Sequence, residues 1–134
     1  MLRIEHLTKK YGEHKAVDDL SLHIAPGEIY GFIGHNGAGK TTTLKSVVGI
    51  LQFDEGEIYV NGTSVKSDPL KCKKELAYIP DNPDIYEFMT GIKYLNFVGD
   101  VFGVGADDRQ EKIRKYADMF ELTADLAQPI STYS

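Results

Sequence analysis

A glycine-rich stretch at residues 34–41 constrains the fold of this chain more than any other part of its sequence. It reads Gly34-His35-Asn36-Gly37-Ala38-Gly39-Lys40-Thr41 and fits G-x-x-x-x-G-K-[ST], the pattern of phosphate-binding loops (P-loops). Small residues let the backbone turn tightly with its N–H groups pointing inward, which creates a nest for anions. The apolar run 29–33 before it predicts a short buried strand. The sequence after it predicts the start of a helix at 42–50, with Leu44, Val47, Val48 and Leu51 on one face.

A helix that begins near Gly39 would add its unpaired N–H groups and the positive end of its dipole to this nest. Lys40 would then reach the outer phosphates of a nucleoside triphosphate, and the Thr41 hydroxyl would ligate a bridging Mg²⁺. Triphosphate binding is therefore predicted for His35, Asn36, Gly37, Ala38, Gly39, Lys40, Thr41 and Thr42. The alternative is a glycine-rich turn with a structural role alone. His35 has no companions at metal-ligand spacing, which indicates a solvated loop side chain rather than a metal ligand.

Length and composition narrow the class of protein. A chain of 134 residues with 42% hydrophobic and 26% charged residues is typical of one globular domain with a modest core. The formal net charge of −5 argues against nucleic-acid binding. The single cysteine and the lack of an N-terminal secretory pattern favour a cytosolic location. Because no apolar run reaches about 18 residues, any membrane role would have to come through a partner.

The rest of the chain alternates between strand and helix patterns. Residues 2–7 and 20–24 predict an antiparallel pair, with a turn-like break at 8–12 and a second turn at 25–28. Residues 57–65 predict a hairpin that turns at Asn61-Gly62, Asp68 caps a short helix, and residues 76–79 predict a second core strand. Beyond residue 81, Thr90 caps one helix and Asp107 or Asp108 begins another. The division is thus a β-rich portion at 1–80 and a loop and helical portion at 81–134.

Several of these stretches together resemble the ATP-binding subunit of an ABC transporter. They are 7–12, 16–22, 26–28, the P-loop, 56–58 and 78–80, in the order of that family. Residues 78–83 look most like those of bacterial drug or polymer exporters. The resemblance implies an α/β fold: part of a P-loop NTPase (RecA-like) core, an antiparallel β subdomain and a partial α-helical subdomain.

The resemblance also implies roles for residues outside the P-loop. Tyr11 would stack on adenine. The alternative is a strand-end tyrosine that only covers the sheet. Val17 would lie at the nucleotide. Asp81 departs from the family pattern, which has glutamine there. A carboxylate can approach Mg²⁺ through water, so Asp81 is a candidate metal-linked residue or an ordinary loop carboxylate.

The family hydrolyses ATP with parts that this sequence does not match. No run of four apolar residues ends in Asp-Glu, and Tyr133-Ser134 resembles the first residues of the family signature. We therefore expect a fragment that binds Mg-ATP without hydrolysing it and leaves an apolar face free to self-associate. The whole protein would pair with a second ATP-binding subunit and a membrane-spanning permease, at the cytoplasmic face of the membrane, and power export. The alternatives are an ABC-type ATPase without a membrane partner and a non-hydrolysing nucleotide-binding module.

Overall fold

A computed structural model of the chain describes residues 1–80 and 85–133. Two compact units make up the molecule, Met1–Pro80 and Asp81–Ser134. The first unit contains the sheet and the P-loop, and the second contains the longer helices. The fold is mixed α/β, as the sequence predicts.

The sheet of the first unit has four antiparallel strands in the order β2-β1-β3-β4. They are β1 (Leu2–Tyr11), β2 (His14–Ile24), β3 (Glu55–Val60) and β4 (Thr63–Ser64). The predicted antiparallel pair and the hairpin at Asn61-Gly62 are both confirmed. The expected break at residues 8–12 is confirmed only at Gly12, which lies in a turn; residues 8–11 continue β1 by pairing with β2. Cross-strand hydrogen bonds here outweigh the weak local turn signal.

Two short helices complete this unit, α1 (Lys40–Val47) and α2 (Pro69–Lys74). Asp68 caps α2 as expected, accepting a hydrogen bond from the Lys71 N–H at 3.0 Å. The core is formed by the helix and the sheet together. Val47 of α1 packs among strand residues Ile4, Leu7, Val17 and Ile58. The expected apolar face of α1 is only partly correct, since Leu44 is 44% exposed while Thr43 and Ser46 are buried.

The two predicted core strands, 29–33 and 76–79, are wrong for this structure. Neither segment is a strand. Ile29 is fully exposed, and Ile33 and Ile79 are 93% and 89% exposed. A strand needs a neighbour to satisfy its backbone hydrogen bonds, and within the described residues neither segment pairs with the four-stranded sheet.

The second unit is helical, with α3 (Gly91–Val101) and α4 (Ala106–Met119) followed by two short 3₁₀ turns. The expected cap is present: the Thr90 hydroxyl accepts a hydrogen bond from the Lys93 N–H at 3.4 Å. Asp107 and Asp108 lie in the first turn of α4. Among the described residues, every helix is too short or too polar to cross a bilayer.

Candidate phosphate-binding site

The P-loop takes a conformation that depends on its glycines. Gly37 and Gly39 have φ angles of 84° and 82°, in the left-handed region that L side chains rarely adopt. The His35 carbonyl accepts a hydrogen bond from the Ala38 N–H at 3.2 Å, which closes the turn. Residues 34–38 are exposed, so the loop is open to a ligand.

The end of the loop rests on β2, and the contact requires glycine. A Cβ atom on Gly39 would collide with the Ala16 carbonyl oxygen and lie 3.1 Å from Val17 Cγ2. The strand register explains why that carbonyl is present. Lys9 pairs with Val17 and Lys10 pairs with Lys15, so Ala16 is the extra residue of a β-bulge. Bulges commonly re-aim the chain next to functional sites.

The N-terminus of α1 receives neither a side-chain hydrogen bond nor an acidic charge from its own first turn. Gly39 supplies no side-chain cap, and the first turn carries no acidic residue. The backbone and hydroxyl of buried Thr43 both donate to the Gly39 carbonyl, at 2.8 and 2.9 Å. The N–H groups ahead of Thr43 lack intrahelical acceptors, as at any helix start. With the positive end of the dipole, they form a site suited to an anion.

Lys40 brings a positive charge into the same loop. Its ammonium group donates hydrogen bonds to the carbonyls of Gly34 at 2.5 Å and His35 at 2.7 Å. Neutral carbonyls are weaker acceptors for an ammonium group than phosphate oxygens are. The geometry therefore allows Lys40 to exchange these carbonyls for a phosphate chain bound in the loop.

The donor set for a metal is small. Within residues 1–80 and 85–133, no group of three or more His, Cys, Asp or Glu side chains could hold a metal ion. Thr41 is exposed, and its hydroxyl is an oxygen ligand of the kind that Mg²⁺ accepts. Mg²⁺ usually keeps waters and phosphate oxygens as most of its ligands. The single Thr41 hydroxyl therefore fits a Mg²⁺ ion that is shared with a phosphate ligand.

Tyr11 lies at the end of β1, in the hairpin whose other strand supports Gly39. It is 53% exposed, and the Lys9 ammonium lies over its ring, 5.3 Å from the centroid. Lys9 in turn lies 3.4 Å from a carboxylate oxygen of Asp54. The backbone N–H of Lys10, with a smaller effect of Lys9, holds the pKa of Asp54 below its usual value.

A family model described as "ABC transporter" matches residues 17–134. The chain belongs to the ABC transporter family. Its expected fold class, a P-loop NTPase, is confirmed by a solved structure described as the ATP binding subunit of an ABC transporter, which superposes with a TM-score of 0.89 at 27% identity. The match covers the whole of this chain and 56% of the solved one.

Two further similarities help to define this ABC transporter chain. It is 36% identical over 135 residues to an uncharacterized ABC transporter ATP-binding protein, YhcH, of Bacillus subtilis, and it spans 43% of that relative's length. The chain is thus a fragment of a cassette. The cassette MJ0796, solved as a dimer bound to ADP and phosphate, has the same fold, with a TM-score of 0.82 at 20% identity over 63% of its chain.

The expected site residues occupy different settings in this ABC transporter fragment. The loop residues 35–42 lie together around the start of α1. His35 Nδ1 lies 2.8 Å from the Asn36 carbonyl. Val17 is buried in the core beneath Gly39, and Asp81 lies outside the described residues.

Sequence reasoning missed three participants in the region, Lys9, Ala16 and Asp54. Lys9 precedes Tyr11 by two positions, and the alternation of a strand would place both on one face. That signal was available. The bulge at Ala16 and the contact between Lys9 and Asp54 depend on how distant segments pair, and neither has a local sequence signal.

Proposed function

We propose that this chain binds Mg-ATP as the phosphate-binding part of an ABC transporter ATPase. One observation carries the proposal: an uncapped helix N-terminus, free of acidic residues, meets the Lys40 ammonium group in one exposed loop. Both features attract anions. Membership of the ABC transporter family supports the choice of ATP as the anion.

In this proposal different loop residues contact different parts of the Mg-nucleotide. The backbone N–H groups of residues 36, 37 and 39–42 bind phosphate oxygens, and Lys40 neutralises the outer phosphates. The Thr41 hydroxyl ligates Mg²⁺, and Asp81 contributes to its shell through water. When bound, Mg²⁺ would offset part of the charge on the phosphate chain.

Tyr11 and Val17 complete the proposed site. Tyr11 stacks on adenine, as the family resemblance implies, and its half-exposed ring in the hairpin that also supports the loop is compatible with that role. Val17 has a supporting role, because its buried side chain lies against Gly39 and helps to hold the start of α1 on β2. The proposal gives His35 a backbone role only.

For the whole protein, we propose ATP hydrolysis coupled to export, at the cytoplasmic face of a membrane. Two ATP-binding subunits would act with a membrane-spanning permease, and the solved dimer of MJ0796 supports the pairing. The exporter-like residues 78–83 support the direction. Cofractionation of the full-length protein with membranes tests the permease partner; recovery in the soluble fraction alone would favour an ABC-type ATPase without one.

Isothermal titration calorimetry of the 134-residue chain tests the binding site directly. We expect Lys40→Ala to weaken Mg-ATP and Mg-tripolyphosphate about 10- to 100-fold, because a charge-assisted contact to phosphate is lost. Adenosine binding should change little. The matched control is Lys45→Ala, an exposed lysine in the last turn of the same helix, which should leave all three affinities unchanged.

Two results would overturn the assignment. One is the absence of any heat of binding when folded wild-type chain is mixed with Mg-ATP. The other is an equal loss of adenosine and ATP affinity in Lys40→Ala. We also propose that this chain alone does not consume ATP, so phosphate release that Lys40→Ala abolishes would contradict that part of the proposal.

A further inference from the structure

Lys9 has an unusual setting for a lysine. Only 14% of its side chain is exposed, although lysine side chains ordinarily extend into water. Its ammonium lies between two groups, 3.4 Å from Asp54 Oδ2 and 5.3 Å from the centre of the Tyr11 ring. Both neighbours favour a cation, one as an anion and the other through the negative face of its ring.

Asp54 is fixed to β1 by its backbone as well as by its carboxylate. Its N–H donates to the Thr8 carbonyl at 3.0 Å, and its Oδ2 accepts from the Lys10 N–H at 2.6 Å. A carboxylate held in this way has little freedom to follow a mobile lysine. The ammonium of Lys9 is therefore held in place by Asp54, and with it one face of the Tyr11 ring is covered.

The covered ring lies on the side of the sheet that supports the phosphate-binding loop. Lys9 is directly opposite Val17 across the strand pair, and Val17 is the residue beneath Gly39. Side chains alternate along a strand, so Tyr11 shares this face with Lys9. Lys10 extends from the opposite face, where it forms its own ion pair with Glu55 at 2.6 Å.

We infer that Lys9, held by Asp54, is a positioning residue that presents the free face of Tyr11 to the base of a bound nucleotide. The inference rests on the proposed function, because it assumes that the nucleotide occupies the loop. The inference also gives Lys9 a part in distinguishing a nucleotide from a bare phosphate chain. A nucleotide whose base can stack gains affinity over a bare phosphate chain, and Lys9 keeps the ring in place for that stacking.

The test compares Mg-ATP with Mg-tripolyphosphate, which has the phosphates and no base. Lys9→Met keeps most of the aliphatic stem and removes the charge. We expect it to weaken ATP binding about two- to fivefold, as for loss of a cation–π contact, and to leave tripolyphosphate affinity unchanged. Lys9→Arg keeps the charge and should restore ATP binding. The matched control, Lys10→Met, removes the neighbouring ion pair on the opposite face and should change neither affinity.

Two further variants make the result independent of any folding defect in Lys9→Met. Asp54→Asn retains an oxygen that can accept from the Lys10 N–H but removes the charge that holds Lys9, and it should cause the same selective loss for ATP. In a Tyr11→Leu background, Lys9→Met should have no additional effect on ATP binding, since the two changes remove one shared interaction.

The proposal would be overturned by equal losses of ATP and tripolyphosphate affinity in Lys9→Met, which indicate a general electrostatic effect. Additive losses in the double variant would also overturn it. Failure of the proposed function looks different, because wild-type chain would then bind neither ligand.

Discussion

At the scale of single residues, Gly39 shows how much of the site depends on one missing side chain. Its φ of 82° is one constraint, and its contact with the Ala16 carbonyl is another. The first could be expected from the P-loop pattern. The second could not, because it arises from a bulge in β2 that the sequence around Gly39 does not encode.

Comparing two glycines with the same φ separates these constraints. Gly27 also has a φ of 82°, but a Cβ added there would meet no atom within 4 Å. We expect Gly27→Ala to lower the free energy of unfolding by about 1–2 kcal/mol, the conformational cost alone. Gly39→Ala should cost about 1–3 kcal/mol more, because the new methyl group displaces α1 from β2. Urea titrations measure both, and equal losses would show that the contact with Ala16 is unimportant.

At the scale of secondary structure, sequence reasoning succeeded where the cause is local. The turn at Asn61-Gly62 has φ angles of 47° and 82°, as a type I′ turn requires. Asp68 and Thr90 cap the helices that follow them. Each of these features depends on residues within a few positions. The predicted strands at 29–33 and 76–79 failed because a strand depends on partners elsewhere in the chain.

The cap at Asp68 gives a direct measure of one such local signal. We expect Asp68→Ala to lower the free energy of unfolding by about 1 kcal/mol, because the Lys71 N–H loses its acceptor. Asp68→Asn keeps a capping oxygen and should cost only a few tenths of that. Urea unfolding monitored by circular dichroism measures the difference. Equal losses for the two variants would mean that charge, rather than the hydrogen bond, is what stabilises α2.

At the scale of the whole molecule, the most consequential feature is the apolar surface of the first unit. Ile29, Ile33 and Ile79 are almost fully exposed, although isoleucine is among the residue types most often buried in folded proteins. The same residues read as core strands in the sequence, and the chain spans only 43% of its relative YhcH. The pattern of the sequence is that of a buried sheet, while the structure leaves those segments unpaired with the sheet.

Exposure of this kind predicts self-association of the isolated chain. We expect its weight-average sedimentation coefficient to rise with concentration, because association removes apolar surface from water. Replacing Ile29, Ile33 and Ile79 together by serine should reduce that rise, since the lost side chains supply the driving force. Leu70→Ser is the matched control, because Leu70 is an exposed apolar residue on α2, outside both segments. Sedimentation of the wild-type chain as a clean monomer across a wide concentration range would show that these side chains drive no association. An equal effect of Leu70→Ser would show that the segments 29–33 and 76–79 have no special part in the association.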